Sequence, residues 1–314
     1  MEHTQTAFTD NSQKILTQVR KAVVGKDEVL LWVLAAIMAK GHILLEDIPG
    51  VGKTTMALAF SRALGLTYNR VQFNPDVLPS DITGYSVLDQ QTGQMTYKPG
   101  AVLCNLFLAD ELNRATSRTQ SALLEAMEEG QVTVDGTSHQ LPASFTVIAT
   151  QNPAGAAGTQ LLPDSQIDRF MIRLSLGYPD PKDEVTMLLT RQNGDPLKQV
   201  MPVVDAAGLA AMQQQVAATY VAPEIAEYAV NLINATRRGN IFLRGGSPRA
   251  TLALTALAKS VAQLHSRDYV VPRDVQEVFV HTLAHRVQPA PGQEAPAHQL
   301  LRELLPKVRA PKLR

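Results

Sequence analysis

The chain has 314 residues, 45% of them apolar, which is enough for a substantial core and for two domains or one extended domain. Its 29 basic and 29 acidic residues cancel, so no overall charge indicates a nucleic-acid or anionic-membrane partner. A single cysteine, Cys104, excludes an internal disulfide and is typical of a reducing compartment. Segment 1–12 lacks the apolar centre of a signal peptide, and no apolar run reaches the about 20 residues that span a bilayer. A cytoplasmic protein without direct membrane insertion is therefore expected.

Two predicted helices, at 15–23 and 28–39, open the chain, and a turn at Val24 and Gly25 joins them. Because this turn comes just before a predicted phosphate loop, it is well placed to cover an adenine base. A plain connection between two helices has the same spacing, and the sequence leaves both interpretations open.

Residues 43–55, ILLEDIPGVGKTT, predict a strand, a glycine-bearing loop and a helix start, the order that a phosphate-binding loop requires. Gly50 and Gly52 would let the backbone approach phosphate oxygens, because glycine has no Cβ to clash. Lys53 would neutralise the β- and γ-phosphates of ATP, and Thr54 would bind Mg²⁺. Asp47 occupies the position of the usual first glycine, so the first turn is expected to be built differently, with Pro49 as one contributor. The predicted nucleotide-binding residues of this loop are Pro49, Gly50, Val51, Gly52, Lys53, Thr54 and Thr55.

Two adjacent carboxylates, Asp110 and Glu111, end a predicted buried strand at 105–111. In open α/β sheets ligands bind beyond the carboxyl ends of the strands, so these side chains are expected at the same edge as the phosphate loop. Asp110 would bind Mg²⁺, partly through water, and Glu111 would polarise the attacking water.

Two more polar residues stand beside predicted strands. Asn152 follows a buried strand at 145–150 and could hydrogen-bond the γ-phosphate or the attacking water; the alternative is an ordinary Asn-Pro turn. Arg169 lies at a corner between a helix and a strand at 171–176, and no carboxylate stands at helical spacing after it. A surface arginine without a function is the alternative for this residue.

One insertion and a second hairpin stand between the predicted core elements. After a predicted strand at 69–73, segment 76–104 contains a hairpin with strands at 85–88 and 95–97. A helix at 116–129 precedes a second hairpin, at 131–141, whose Asp135-Gly136 turn is a strong hairpin signal. Long insertions in α/β domains usually serve function at the surface.

The second half of the chain predicts a small helical lid with helices at 183–192, 206–219, 223–238, 248–265 and 273–284. Ser247 and Pro248 form a good helix start, which places Arg249 in a first turn. From there Arg249 could swing with the lid toward phosphate, or could simply bond nearby carbonyls. Residues 288–293 are Pro-rich and predicted to be flexible, and a short helix at 300–305 is expected within a basic tail.

Together these residues resemble an AAA+ ATPase of the MoxR type, from about residue 23 to residue 287. The matching stretches are LEDIPGVGKT (45–54), DELNRA (110–115), ATQNP (149–153), LPDSQIDRF (162–170) and GGSPRA (245–250). The family tolerates an aspartate where Asp47 stands. The resemblance implies a P-loop α/β fold with a three-layer αβα parallel-sheet core and a C-terminal all-helical lid.

The resemblance also implies a role for each motif and a division of the chain. The motifs would be Walker A at Lys53 and Thr54, Walker B at Asp110 and Glu111, sensor 1 at Asn152, an arginine finger for a neighbouring subunit at Arg169, and sensor 2 at Arg249. Segments 76–104 and 131–141 would be the two insertions that mark the family's clade. The predicted domains are an N-terminal helical segment (1–22), the nucleotide-binding core (23–180), the lid (181–287) and a Pro-rich, basic tail (288–314).

Members of this family generally hydrolyse ATP with Mg²⁺ in homo-oligomeric rings, often hexamers, and act on a protein client in a chaperone-like way. They frequently work with a partner bearing a von Willebrand factor A domain, and some help to insert a cofactor into a metalloenzyme. Two alternatives stand beside this expectation. A nucleotide-gated scaffold with little turnover is disfavoured because every hydrolytic residue is present. A nucleic-acid-directed motor is disfavoured by the neutral charge balance.

Overall fold

A parallel sheet of five strands lies at the centre of the described residues, which are 2–48, 50–90, 93–152, 162–192 and 194–312 in this computed structural model. Its strands, in chain order, are β1 (Ile43–Glu46), β2 (Tyr68–Gln72), β5 (Leu106–Asp110), β8 (Thr146–Gln151) and β9 (Ile172–Leu174). The spatial order is β2, β5, β8, β1, β9, so the strand before the phosphate-type loop lies between β8 and β9. The carboxyl ends of β1, β5 and β8 are therefore neighbours, as the strand-end argument predicts.

Helices cover both faces of this sheet. In the first half of the chain they are α1 (Glu2–Arg20), α2 (Asp27–Met38), α3 (Lys53–Ala63), α4 (Pro79–Thr83), α5 (Ser117–Glu129) and α6 (Asp164–Ile167). Successive residues of a strand face opposite sides. Ile43 and Leu45 accordingly join a hydrophobic cluster with α1, α2 and α3, whereas Leu44 joins a second cluster with α5. This arrangement confirms the three-layer αβα core.

The first helix begins well before the predicted 15–23. Phe8 and Ser12 are buried at the helical spacing that leads to Ile15, and the Ser12 hydroxyl donates to the Phe8 carbonyl over 2.9 Å. A serine in this stripe satisfies its own hydroxyl within the helix, so the position can be buried although it is polar. The apolar pattern alone therefore conceals the first half of α1.

Two hairpins project from the core at the predicted insertions. The first pairs β3 (Gly84–Leu88) with β4 (Met95–Pro99), and the second pairs β6 (Gln131–Val134) with β7 (Thr137–Gln140). The rings of Tyr97 and His139 stack between them, with centroids 3.6 Å apart and planes 11° from parallel. The hairpins therefore contact each other although they are separate in the sequence.

The second half is the predicted helical lid, built from α7 (Pro181–Gln192), α8 (Ala206–Ala218), α9 (Pro223–Arg237), α10 (Pro248–Leu264), α11 (Pro272–Leu283) and α12 (Ala297–Leu304). It also carries a short strand pair that the sequence did not predict, β10 (Phe242–Arg244) with β11 (Gln288–Pro289). The expected flexibility of 288–293 is wrong for this pair, which the Ala290 amide extends by bonding the Ile241 carbonyl over 3.0 Å.

The C-terminal segment is attached to the lid rather than free. Leu300, Leu301 and Leu304 of α12 are buried in the same cluster as the lid helices, whereas the basic side chains of Arg302 and Lys307 are exposed. Apolar burial holds this helix while its charges stay in water. The domain boundaries at 22, 180 and 287 remain a prediction. Within the described residues, no helix combines the length and the apolar character needed to cross a bilayer.

Candidate functional site

The sheet has two edges that matter for function. We call the edge where β1, β5 and β8 end the carboxyl edge, and the edge where β1 and β9 begin the amino edge. Lys53, Asp110, Glu111 and Asn152 follow strands and stand at the carboxyl edge. Arg169 precedes β9 and stands at the amino edge.

The loop after β1 has the backbone of a phosphate cradle. Gly50 and Gly52 adopt φ angles of +91° and +98°, a region that side chains rarely reach, and nothing lies within 4 Å of where a Cβ would stand at either position. Gly52 precedes α3, whose first residue is Lys53. A helix N-terminus behind open glycines is a favourable place for an anion. Pro49 lies outside the described residues.

Lys53 is buried and turned onto its own loop. Its Nζ donates to the carbonyls of Asp47 and Ile48 over 2.9 and 3.0 Å. Burial lowers the pKa of Lys53, and the charges of Asp47, Asp110 and Glu111 oppose that effect. The ammonium is thus close enough to both carboxylates at the strand ends to be influenced by them.

Asp47 explains how the loop begins without the usual first glycine. The side chain is buried, and its carboxylate accepts from the Ser175 hydroxyl (2.7 Å) and from the amides of Leu176 (2.6 Å) and Gly177 (3.0 Å). These bonds join the loop to the segment that leads from β9 into the lid. Sequence reasoning did not find this role, because the partners lie far along the chain.

Asp110 is held by residues of the two neighbouring strands. Thr150 donates its hydroxyl to one carboxylate oxygen, and Arg70 donates Nη2 to the other, each over 2.7 Å. The aspartate is 8% exposed and its orientation is therefore fixed. Neither Thr150 nor Arg70 was singled out from the sequence, although both lie on predicted strands.

Glu111 adopts a left-handed backbone, φ +58°, which is uncommon for a residue with a side chain and concentrates at functional sites. Its carboxylate accepts from Arg114 over 2.9 Å and from the Asn152 amide over 3.3 Å. Burial raises its pKa, but hydrogen bonds from Arg114, Asn152 and Gln72 outweigh burial, so the pKa of Glu111 is lowered overall. The structure thus joins two predicted site residues, Glu111 and Asn152, by a direct hydrogen bond.

A cavity of about 550 Å³ opens beside the phosphate-type loop. Its lining residues include Val24, Gly50, Val51, Gly52, Thr55 and Leu188. Its volume lies within the range of about 300–1,000 Å³ that small-molecule sites occupy. Thr54, half-buried, follows Lys53 on α3. The cavity supports the interpretation in which the turn at Val24 covers part of a ligand.

Gly25, in the same turn as Val24, lies close to the lid. A Cβ at this position, where φ is +71°, would stand 1.8 Å from a carboxylate oxygen of Asp183 on α7. The turn therefore contacts the Asp183 side chain of the first lid helix, and its positive φ favours glycine at this position.

The amino edge has a separate cavity of about 290 Å³, whose lining includes both predicted arginines, Arg169 and Arg249. Arg169 Nη2 lies 3.1 Å from a carboxylate oxygen of Glu128, and Arg249 Nη2 bonds the other oxygen of the same carboxylate. Arg249 Nη1 also lies 3.9 Å from Asp168. Glu128, at the end of α5, was missed because nothing in its local sequence marks it as a partner.

The predicted site residues therefore form two groups. The two cavities have no lining residue in common. Strand β1 runs from the amino edge to the carboxyl edge, and its four residues alone span roughly 10 Å. Arg169 and Arg249 line the same cavity, and neither lines the cavity beside the loop that contains Gly50 and Gly52.

Two family models match along the chain. The ATPase family associated with various cellular activities (AAA) matches residues 42–172, and the AAA lid domain matches residues 234–304, which include α12. The uncharacterized protein YeaC of Bacillus subtilis is 42% identical over 301 residues, covering 95% of this chain and 94% of that protein.

Two further comparisons agree. Chaperone MoxR1 of Mycobacterium tuberculosis is 36% identical over 284 residues, covering 88% of this chain and 75% of that protein. A crystal structure described as that of a putative ATPase from Cytophaga hutchinsonii matches with a TM-score of 0.91 and 33% identity, covering 99% of this chain and 98% of that one. Similarity at this level over most of both sequences goes beyond a common fold, and the chain belongs to the MoxR-type AAA+ ATPases.

Proposed function

We propose that this chain is the subunit of a ring motor that hydrolyses ATP between neighbouring copies and uses the energy to remodel or activate a protein client. The observation behind the proposal is that Arg169 and Arg249 line one cavity at the amino edge, whereas Lys53 and Glu111 stand at the carboxyl edge. Phosphoryl transfer needs positive charge on the transferred group. Arginines at the opposite edge can supply that charge only to another copy's nucleotide.

The carboxyl edge fits ATP and Mg²⁺. The open glycines allow phosphate to approach the backbone, and Lys53 would exchange its two carbonyl partners for phosphate oxygens. The Thr54 hydroxyl and the Asp110 carboxylate are hard oxygen donors of the kind that Mg²⁺ prefers, and they would hold it partly through water. When bound there, Mg²⁺ would supply positive charge that offsets the charge of the phosphates.

Glu111 would orient the attacking water. Its pKa is lowered, so the carboxylate is ionised at neutral pH and can accept a proton from water. Asn152 fixes one carboxylate oxygen and faces the same space, where it would contact the γ-phosphate or the water. The direct hydrogen bond between Glu111 and Asn152 fixes the position of one side chain relative to the other.

The assembly follows from the two edges. A contact between the carboxyl edge of one copy and the amino edge of the next is heterologous, and repeated contacts of this kind close into a ring if the rotation permits. We propose a hexamer, a chaperone-like action on a protein client, and a partner with a von Willebrand factor A domain. One chaperone-like action of this kind would be to help a metalloenzyme client to mature. These assignments rest on the family, and the name of MoxR1 supports the chaperone action.

The proposal is tested with Glu111→Gln, which keeps the shape of the side chain and removes its charge. We expect the variant to bind ATP and assemble, while phosphate release falls by about 10²–10⁴-fold, the usual contribution of a general base. A phosphate-release assay measures turnover, and native mass spectrometry measures ATP binding and assembly. Glu125→Gln, an exposed glutamate on α5, serves as the matched control. Normal turnover by Glu111→Gln would contradict the proposal, and so would an unaltered monomer under saturating ATP.

A further inference from the structure

The segment around Arg169 is held by a buried arginine of the lid. Arg286 follows α11, is 5% exposed, and donates five hydrogen bonds. The acceptors are an Asp168 carboxylate oxygen (2.9 Å) and the carbonyls of Asp168 (3.0 Å), Phe170 (2.7 Å), Met171 (3.1 Å) and Thr282 (2.7 Å). All of its donors are thus satisfied by the Asp168 carboxylate, by the backbone on both sides of Arg169 and by a carbonyl of α11.

Asp168 is the counterpart of Arg286 in the core. Besides Arg286, its two carboxylate oxygens accept from the Ser247 hydroxyl over 3.0 and 2.9 Å. Ser247 also caps α10 by accepting the amide of Ala250. The carboxylate of Asp168, the residue next to Arg169, therefore bonds both the segment after α11 and the start of α10.

The chemistry of this cluster favours a role in orientation. Burial lowers the pKa of Arg286 to about 10, while the charge of Asp168 opposes that effect, so Arg286 remains charged at neutral pH. A buried ion pair is weak support for stability, because desolvation offsets its attraction, but its fixed geometry can specify one arrangement. His285 adds a further bond to the Phe170 carbonyl over 2.9 Å. The lid thus fixes the backbone of 168–171 at several points.

We propose that Asp168 and Arg286 are positioning residues that lock Arg169 of the core and Arg249 of the lid into one unit, presented to the neighbouring subunit's nucleotide. The inference rests on the proposed function, since it assigns a purpose to arginines that act on another copy. With this lock closed, a lid cannot change its angle without carrying Arg169 along. A change of nucleotide in one pocket would then move the core and the lid of the adjacent subunit together.

The first test is steady-state hydrolysis by Asp168→Asn, which removes the charge but keeps the size. Misplacing a reacting group by about 1 Å can cost roughly 10²-fold in rate, and we expect a kcat loss of that order. KM for ATP should stay near the wild-type value, because the variant's own pocket at the carboxyl edge is intact. The matched control is Asp164→Asn, since Asp164 pairs with Arg244 of the lid from an exposed position. We expect its kcat to be unchanged.

Loss of folding is separated from loss of positioning by a second variant. Asp168→Asn leaves Arg286 without its counter-charge, so Asp168→Asn with Arg286→Met removes the buried charge as well. We expect this double variant to regain thermal stability relative to Asp168→Asn but to keep the low kcat. Recovery of kcat together with stability would overturn the proposal, because positioning would then be unnecessary.

The decisive measurement is complementation in mixed rings. Asp168→Asn subunits have an intact pocket, and Glu111→Gln subunits have an intact arginine pair. At equal amounts, half of the pockets are intact and half of those face an intact arginine pair, so random assembly should restore about a quarter of wild-type activity.

A parallel mixture of Arg169→Ala with Glu111→Gln tests the underlying function. If that mixture recovers and the Asp168→Asn mixture does not, the positioning role is wrong and the damage lies in the variant's own pocket. If the Arg169→Ala mixture itself stays inactive, the action of Arg169 on a neighbour is wrong, and with it the proposed function. Wild-type kcat for Asp168→Asn alone would also overturn the positioning role.

Discussion

The two edges of the sheet are built in different ways. At the carboxyl edge the functional groups come from loops that directly follow β1, β5 and β8, so strand order alone brings them together. At the amino edge Arg169, Glu128 and Arg249 come from separate parts of the chain, and Arg249 reaches the other two because the lid packs on the core. The first edge is a product of local motifs, and the second depends on tertiary structure.

The difference has a functional counterpart. Lys53, Asp110, Glu111 and Asn152 form a contiguous group that can hold a nucleotide within one copy of the chain. In our proposal the arginine pair acts on a partner, and in the single chain both arginines form ion pairs with Glu128. A result in which the amino edge acts within its own subunit would contradict this difference between the two edges.

The largest expected effect tests whether the amino edge is needed for chemistry. Arg169→Ala should lower kcat by roughly 10³–10⁵-fold, the contribution of an arginine finger, while ATP still binds to the intact carboxyl edge. Phosphate release and fluorescent-nucleotide titration separate the two quantities. Arg118→Ala, at an exposed position on α5, is the control and should behave as wild type. A variant that hydrolyses ATP normally would remove Arg169 from the mechanism.

A second prediction contrasts the two edges in acid. His42, at the amino edge, donates through Nε2 to the Met127 carbonyl over 3.1 Å and accepts from the Val147 amide at Nδ1 over 3.0 Å. Burial lowers its pKa from 6.5 to about 4, and the bond to Met127 opposes that effect. The folded chain therefore binds the proton less readily than the unfolded chain. Stability from neutral His42 is present above pH 6.5 and is lost as the pH falls toward 4.

The expected loss is at most about 3 kcal/mol, because one pKa unit corresponds to about 1.4 kcal/mol and His42 as a whole residue is only half-buried. Denaturant unfolding of wild type and His42→Gln between pH 7 and pH 4 measures it, and the variant should show the flatter profile. Parallel profiles for the two proteins would mean that His42 does not titrate in this way. The pKa of Glu111 is lowered, so the carboxyl edge should keep its ionised carboxylate over much of the same range.

The smallest predicted effect concerns Glu128, which in our proposal competes with phosphate for both arginines. The side chains of its two ion pairs are 29–42% exposed, and such pairs contribute only about 0.2–1 kcal/mol each. Glu128→Gln should therefore raise turnover, by no more than about 30-fold if both pairs are released. Glu129→Gln, the adjacent exposed glutamate, is the control. A loss of turnover comparable to that of Arg169→Ala would show that Glu128 positions the arginines instead of competing for them.

The same contrast explains what could be predicted from the sequence. The strand, loop and helix at 43–55 and the strand that ends in the carboxylates at 110–111 are determined by residues close together in the sequence, so they could be predicted. Because the strands before Glu111 and Asn152 are parallel and end at the same edge, the proximity of these two residues could be predicted as well. The role of Asp47 could not be predicted, because its partners at 175–177 are distant in the chain. Glu128, Asp168 and Arg286 were missed for the same reason: each is an ordinary charged residue until the lid is packed.

The junction between α5 and its hairpin adds a mechanical property to the molecule. Gly130 ends α5 with φ +64°, and β6 starts at the next residue, three positions after Glu128. The stacked rings of Tyr97 and His139 tie the other hairpin to this one. A force applied to either projection can thus be transmitted through contiguous atoms to the carboxylate that holds the arginine pair, which is the physical precondition for linking mechanical load to the ATPase cycle.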